Sequence, residues 1–234
     1  MKPELQSSHV DHVVSAIKGV IGAAPVAGPI IAELVGTTIP NQRLERVARF
    51  VHELDQRISA LETKPSPEQL HEPGFTEVAE EAMLQSMRTP DPDRISQLAT
   101  LTARALSPDE IRAEERLHLL RLLGELSPIE LIWLQSFHEI RTMGQNDFYD
   151  QHEEVLRPIS RTMGQPEHVF DKGALQDSFK GHLERLGLVK PSLEIDRTTG
   201  IPVFDKQTGK PKIRGYDVTQ LGFLLLKEIG IEIE

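Results

Sequence analysis

The sequence predicts a mostly α-helical protein, an N-terminal helical bundle followed by a small α+β module. Three observations carry this expectation. Leu44, Val47, Val51, Leu54, Ile58 and Leu61 recur at spacings of three and four, the signature of one apolar helix face. Ser-Pro pairs followed by Glu punctuate the middle of the chain as helix starts. After Asp171 the pattern changes to a helix, short β-prone pieces separated by Thr-Gly pairs, and a last helix.

Bulk composition narrows the function classes. The 234 residues suggest one large domain or two small ones, and 38% hydrophobic content supports a packed core of Leu, Ile, Val and Ala with few aromatics. Cysteine is absent, which excludes disulfides, thiolate metal sites and a Cys nucleophile. Met1-Lys2-Pro3-Glu4 opens without a cleavable signal pattern, so a cytoplasmic location is expected, with membrane association as the alternative. The net charge is −10, and all of it lies before Asp171, because the remainder balances 10 acids with 10 bases. An acidic body repels phosphates, so any nucleic-acid contact needs a local basic patch.

Residues 1–40 read as an apolar helical hairpin interrupted by Pro and Gly. Between 13 and 36 only Lys18 and Glu33 are charged, and Pro25 and Pro29 frame the turn. Two outcomes are open for it: a hairpin packed on the following helix, or one that inserts into a bilayer through Ile17, Val20, Ile30, Ile31 and Leu34. Lys18 and Glu33 would be costly at a bilayer centre, which favours packing.

Residues 41–165 read as the bundle. Asn41 is placed as the N-cap of the heptad helix, whose seam is too short for an independent coiled coil and is expected to pack inside the bundle. Glu45 with Arg49 and Glu53 with Arg57 fall on its polar side, as a solvated face would have them. The stretch from Glu62 to Pro67 reads as a linker, and a second helix is expected from Thr76 to Met87. Ser107-Pro108-Asp109-Glu110 and Ser127-Pro128-Ile129-Glu130 each match a capping box. Arg-Thr-Met-Gly-Gln occurs at 141–145 and again at 161–165, with each Gly suited to a helix C′ position.

Residues 166–234 read as the α+β module. Leu175, Phe179, Leu183 and Leu186 align on one helix face closed by Gly187. Ser192 to Asp196, Ile201 to Phe204 and Lys212 to Val218 follow as β-prone pieces, and Thr219 caps the last helix. Leu183-Glu184-Arg185-Leu186-Gly187-Leu188-Val189 and Val218-Thr219-Gln220-Leu221-Gly222-Phe223-Leu224-Leu225 resemble bacterial winged-helix domains, which show LE-x-x-G-L-V after the third helix and L-T-x-x-G-x-x-L after the wing. The resemblance covers about 60 residues and implies a winged-helix-like module whose third helix enters a major groove and whose wing touches phosphates. On that reading Arg197, Lys206, Lys210, Lys212 and Arg214, a local balance of +4 with Asp205, contact nucleic acid, with Lys180 and Arg185 on the helix. Winged helices also serve as protein-contact modules, so a protein partner or self-association stays open. Ile39-Pro40-Asn41-Gln42-Arg43-Leu44-Glu45-Arg46 and the apolar run before it resemble uncharacterised bacterial helical proteins, some associated with phage defence, and membrane-active helical death domains.

Catalytic signatures are missing. The chain has no phosphate-binding G-x-x-x-x-G-K-[ST], no G-x-G-x-x-G, no G-x-S-x-G elbow, and neither His138-Glu139 nor His152-Glu153 is followed by the second His of a zinc protease. His9 and His12 share a helical spacing without further ligands, so no metal site, cofactor or catalytic residue is assigned. The expectation is a non-catalytic binding or regulatory protein whose C-terminal module recognises a macromolecular partner and whose bundle mediates assembly. The alternative is a membrane-acting effector using the N-terminal hairpin.

Overall fold

A computed structural model describes residues 41–107, 111–139, 147–159, 164–206 and 209–232. The N-terminal hairpin at 1–40, with its five candidate lipid-facing residues and His9 and His12, lies outside the described residues, as does the first Arg-Thr-Met-Gly-Gln copy. Among the described residues the protein is mostly helical, with one two-stranded antiparallel sheet near the C-terminus. The chain divides into two compact units, the first up to Glu125 together with Glu228–Gly230, the second from Leu126 to Lys227 with the last four residues.

The first unit contains α1 (Asn41–Ser59), α2 (Pro67–Leu70), α3 (Pro73–Arg88), α4 (Pro92–Arg104) and α5 (Ala113–Glu125). The heptad seam is core: Leu44, Val47, Val51, Leu54 and Ile58 are buried against α3 and α4, joined by Phe50, and Leu61 follows the helix half-buried. The polar side of α1 departs from a solvated face. Arg57 does pair with Glu53 at 2.6 Å, but its Nε and second amino group also donate to Thr100 Oγ1 (2.8 Å) and Ser96 Oγ (2.6 Å) on α4. Other long side chains close helix ends that lack intrahelical partners. Arg46 donates to the Met87 carbonyl (3.0 Å), and Arg94 to the Leu123 carbonyl (2.7 Å).

The expected linker is partly ordered into helix. Ser66 and Gln69 form a reciprocal capping box, and Pro67 opens the single turn of α2. The helix expected at Thr76–Met87 starts earlier, at Pro73, because proline suits the first helical turn. Residues 108–110 are not described, but the capping box expected to start a helix at Ser107 is not the start of α5. The Ser107 N–H donates to the Arg104 carbonyl (3.0 Å) and terminates α4, while α5 begins at Ala113 with Glu115 reaching back to the Arg112 N–H (2.8 Å).

The first unit buries an ionic cluster. The Glu228 carboxylate accepts from Arg116 Nε at 3.0 Å and Arg104 at 3.2 Å, and the Arg116 and Glu228 side chains are each only 1% exposed. A buried pair of this kind is costly to break from one side, because the survivor keeps its desolvation cost without its partner. Glu228→Ala is therefore expected to destabilise the fold by about 3–5 kcal/mol. The double change Arg116→Met with Glu228→Leu is expected to recover most of that loss, and urea unfolding of both variants tests it.

The second unit contains α6 (Pro128–Glu139), α7 (Asp147–Gln151), α8 (Glu153–Leu156), α9 (Glu167–Arg185), β1 (Val189–Leu193), β2 (Ile213–Val218) and α10 (Gln220–Glu228), whose last residue belongs to the first unit. The capping box at Ser127 forms as expected, with Glu130 accepting from the Ser127 N–H (2.7 Å) and Ser127 Oγ accepting from the Glu130 N–H (3.2 Å). Gly164, in the second Arg-Thr-Met-Gly-Gln copy, has φ +95°, while residues 160–163, where a helix closed by it would end, lie outside the described residues.

Candidate functional site

The candidate site is the long hairpin between β1 and β2, and its position depends on how α9 is held. Leu131, Trp133, Leu134 and Phe137 bury the inner face of α6, where Trp133 meets Phe137 and Phe137 meets Tyr216 at ring distances of 5.7 and 5.4 Å. Lys180 of α9 lies 4.3 Å over the Trp133 ring, a cation–π contact that places this candidate cation against α6. His138 is a core residue, edge-on to Phe223. His182 Nδ1 lies 2.6 Å from Glu130 Oε1; an ionised carboxylate only accepts, so the nitrogen carries the proton.

The expected apolar face of α9 is only partly buried. Leu183 is in the core, but Leu175 is 56% exposed and Phe179 half-buried. The N-terminal half is held by polar contacts instead, as Gln176 donates to the Val155 and Arg157 carbonyls (3.1 and 3.0 Å). Its exposed charges are mainly acidic: Glu167, Asp171, Asp177 and Glu184 against Lys172 and Arg185.

Segments 183–189 and 218–225 meet in space. Gly187, at φ +72°, lets α9 end in a Schellman turn, its N–H donating to the Glu184 carbonyl (2.9 Å) and the Leu188 N–H to the Leu183 carbonyl (3.0 Å). Thr219 then caps α10, accepting from the Gly222 N–H (3.1 Å), and its hydroxyl lies 2.6 Å from the Gly187 carbonyl. Its own N–H donates to the Leu188 carbonyl (3.0 Å). A Cβ on Gly222 would collide with that carbonyl oxygen and lie 2.7 Å from Val218 Cγ1. Glycine is required there because helix and strand approach too closely for a side chain.

Beyond this joint, β1 and β2 pair from Val189↔Val218 to Ser192↔Gly215, with a register shift before Leu193↔Ile213. The chain between them is not the simple strand series expected. Three backbone segments close a ring of hydrogen bonds: Glu194 N–H to Lys212 carbonyl (2.9 Å), Lys212 N–H to Val203 carbonyl (2.7 Å), and Val203 N–H to Glu194 carbonyl (2.8 Å). The ring members are nine residues apart. Ile195-Asp196-Arg197-Thr198-Thr199-Gly200-Ile201-Pro202-Val203 and the next nine residues share Asp, Thr, Gly and Pro at equivalent positions. Their Ile195↔Pro202 and Phe204↔Pro211 bridges are equivalent too. So are the Gly200 and Gly209 N–H bonds to the Asp196 and Asp205 carbonyls (2.8 and 2.9 Å), at φ +71° and +67°. The Thr-Gly pairs nine residues apart are the trace of this tandem repeat in the sequence, too short to show its pairing without the backbone.

The hairpin brings five candidate cations to one exposed appendage. Arg197, Lys206, Lys210, Lys212 and Arg214 are all exposed, and Arg185 is exposed at the end of α9. Arg197 and Arg214 line an open concavity of about 740 Å³ with Leu193, Ile195 and Val203, and Glu194 shares its rim. Asp196 accepts from the Thr199 and Thr198 N–H groups (3.0 and 2.7 Å), which hold its carboxyl below the usual carboxylate range. Burial pushes the Tyr216 phenol up, reinforced by the Glu184 and Asp177 charges. Among the described residues no cluster of three His, Asp or Glu is placed to hold a metal, and no helix is long and apolar enough to cross a membrane. No known protein family, curated protein or solved structure matches the chain.

Two predictions follow from this anchoring. Gly222→Ala should cost about 1–3 kcal/mol through overpacking at the Leu188 carbonyl, measured by thermal melting. The Glu130 carboxyl is pushed up by burial, but the Ser127 N–H, His182 and the Ser127 hydroxyl outweigh burial and hold it below its ordinary value. A depressed folded-state pKa stabilises the fold above the unfolded value, near pH 4.5, and that stability disappears as pH falls through the folded value. Glu130→Gln should therefore flatten stability between about pH 5 and 3 relative to the parent, read by urea midpoints at each pH.

Proposed function

We propose that the protein is a non-catalytic binding and regulatory protein. Its C-terminal module, winged-helix-like in its helix, strand, hairpin, strand and helix order, takes a protein partner on the hairpin, and the helical bundle mediates assembly. One observation carries this reading. The hairpin exposes Ile195, Ile201, Phe204 and Ile213, at 49–57%, among five cations, on a backbone stiffened by the hydrogen-bonded ring. Large apolar side chains exposed together on an ordered appendage favour a protein-contact surface, whereas phosphate contact needs cations alone.

Helix α9 supports the choice of protein over a groove of DNA. The helix that would enter the groove exposes more acids than bases, and Lys180 is engaged with Trp133. A second reading, contact with nucleic-acid phosphates, is favoured by the five exposed cations. A photo-crosslinking residue at Phe204, compared with one at Leu84 on α3, tests the first reading. A discrete protein adduct is expected at Phe204, absent at Leu84, and lost when Arg197, Lys206 and Lys212 become Ala; equal labelling at both positions would exclude the hairpin. Salt-sensitive binding to duplex DNA or RNA that all five Ala substitutions abolish would establish the second reading instead.

A further inference from the structure

The second unit carries two exposed apolar surfaces, and their net charges are opposite in sign. Eight large hydrophobic side chains are exposed among the described residues, and six belong to these surfaces: Phe170 and Leu175 on α9, and Ile195, Ile201, Phe204 and Ile213 on the hairpin. Three of the hairpin residues follow the nine-residue repeat. Ile195, Phe204 and Ile213 each succeed one member of the hydrogen-bonded ring and are 49%, 51% and 49% exposed. The repeat therefore presents three equivalent apolar side chains, accompanied by exposed Arg197, Lys206, Lys210, Lys212 and Arg214, which outnumber the exposed acids Glu194 and Asp196 beside Ile195. On α9, exposed Glu167 and Asp171 accompany Phe170 and Leu175, with exposed Lys172 as the one base in that stretch.

We propose that the hairpin's occupant is a second copy of this chain, each copy laying its hairpin on the acidic apolar face of the other's α9. The inference rests on the hairpin being a protein-contact surface and names its partner. Both surfaces are exposed within one chain, so neither covers the other. A two-fold exchange covers both surfaces in both copies and leaves no open end, unlike a head-to-tail contact that continues into a filament. Cations facing carboxylates set the register, while the apolar side chains leave water. The chain's net charge of −10 repels copies over distance, so association depends on this local complementarity.

Sedimentation velocity of the full chain over a concentration series tests the proposal. A monomer–dimer equilibrium is expected. Phe204→Asp, the triple change Arg197→Glu, Lys206→Glu and Lys212→Glu, and the pair Glu167→Lys with Asp171→Lys should each weaken it at least about tenfold. Carrying the triple and paired reversals on one chain exchanges the signs of both surfaces and should restore the dimer. Melting of each variant checks folding, and Phe204→Ser replaces the Asp variant if that one does not fold. A chain that stays monomeric, a dimer indifferent to the hairpin changes, or a sign exchange without restoration overturns the proposal. If the chain is monomeric while the Phe204 adduct persists, the second-copy assignment fails and the hairpin remains a contact surface; loss of the adduct as well removes both.

Discussion

The carbonyl of Leu188 is where the C-terminal module is tied together. It accepts the Thr219 N–H, sits beside the Thr219 hydroxyl at 3.2 Å, and leaves no room for a side chain at Gly222. Helix α9 reaches this point by a glycine-dependent Schellman turn, and α10 leaves it from a threonine cap. The ends of β1 and β2 pair at the same level, Val189 opposite Val218. A two-stranded sheet is marginal alone in water, so its persistence depends on these helix ends and on the core beneath.

Polar interactions do different work in the two units. In the first, Arg46 and Arg94 satisfy helix-end carbonyls, and Arg116 shares the buried Glu228 carboxylate with Arg104. Such contacts specify one arrangement of helices that apolar packing alone would leave less defined, because misplacing any of them strands a buried charge or carbonyl. In the second unit, Glu130 caps α6 at Ser127 and also holds His182 of α9, so one carboxylate couples a local helix start to a tertiary contact.

The hairpin is ordered by a different principle. Its residues are largely exposed, so burial contributes little, and its conformation comes from backbone hydrogen bonds, two left-handed glycines and the Asp196 turn. Local order without burial is what allows Ile195, Phe204 and Ile213 to stay in the open on a defined frame. A segment preorganised in this way loses little conformational entropy on contact, which is the physical basis of the binding role proposed for it.

The sequence by itself determined the helical class, the α1 seam, the Ser127 capping box and the helix, hairpin and helix order at the C-terminus. Each of these is local: periodicity, a side chain reaching its own helix end, or a glycine that a turn requires. Tertiary structure decided what depends on distant partners. It took Arg57 off a solvated face by supplying Ser96 and Thr100, and it stationed Lys180 over Trp133. It left Leu175 exposed on a helix whose pattern suggested burial, because exposure is set by which element lies opposite and periodicity carries no record of that. The same reason explains Glu228 and Arg116, 112 residues apart: nothing in either one's neighbourhood along the chain announces a buried ion pair, and only the fold brings them within 3.0 Å.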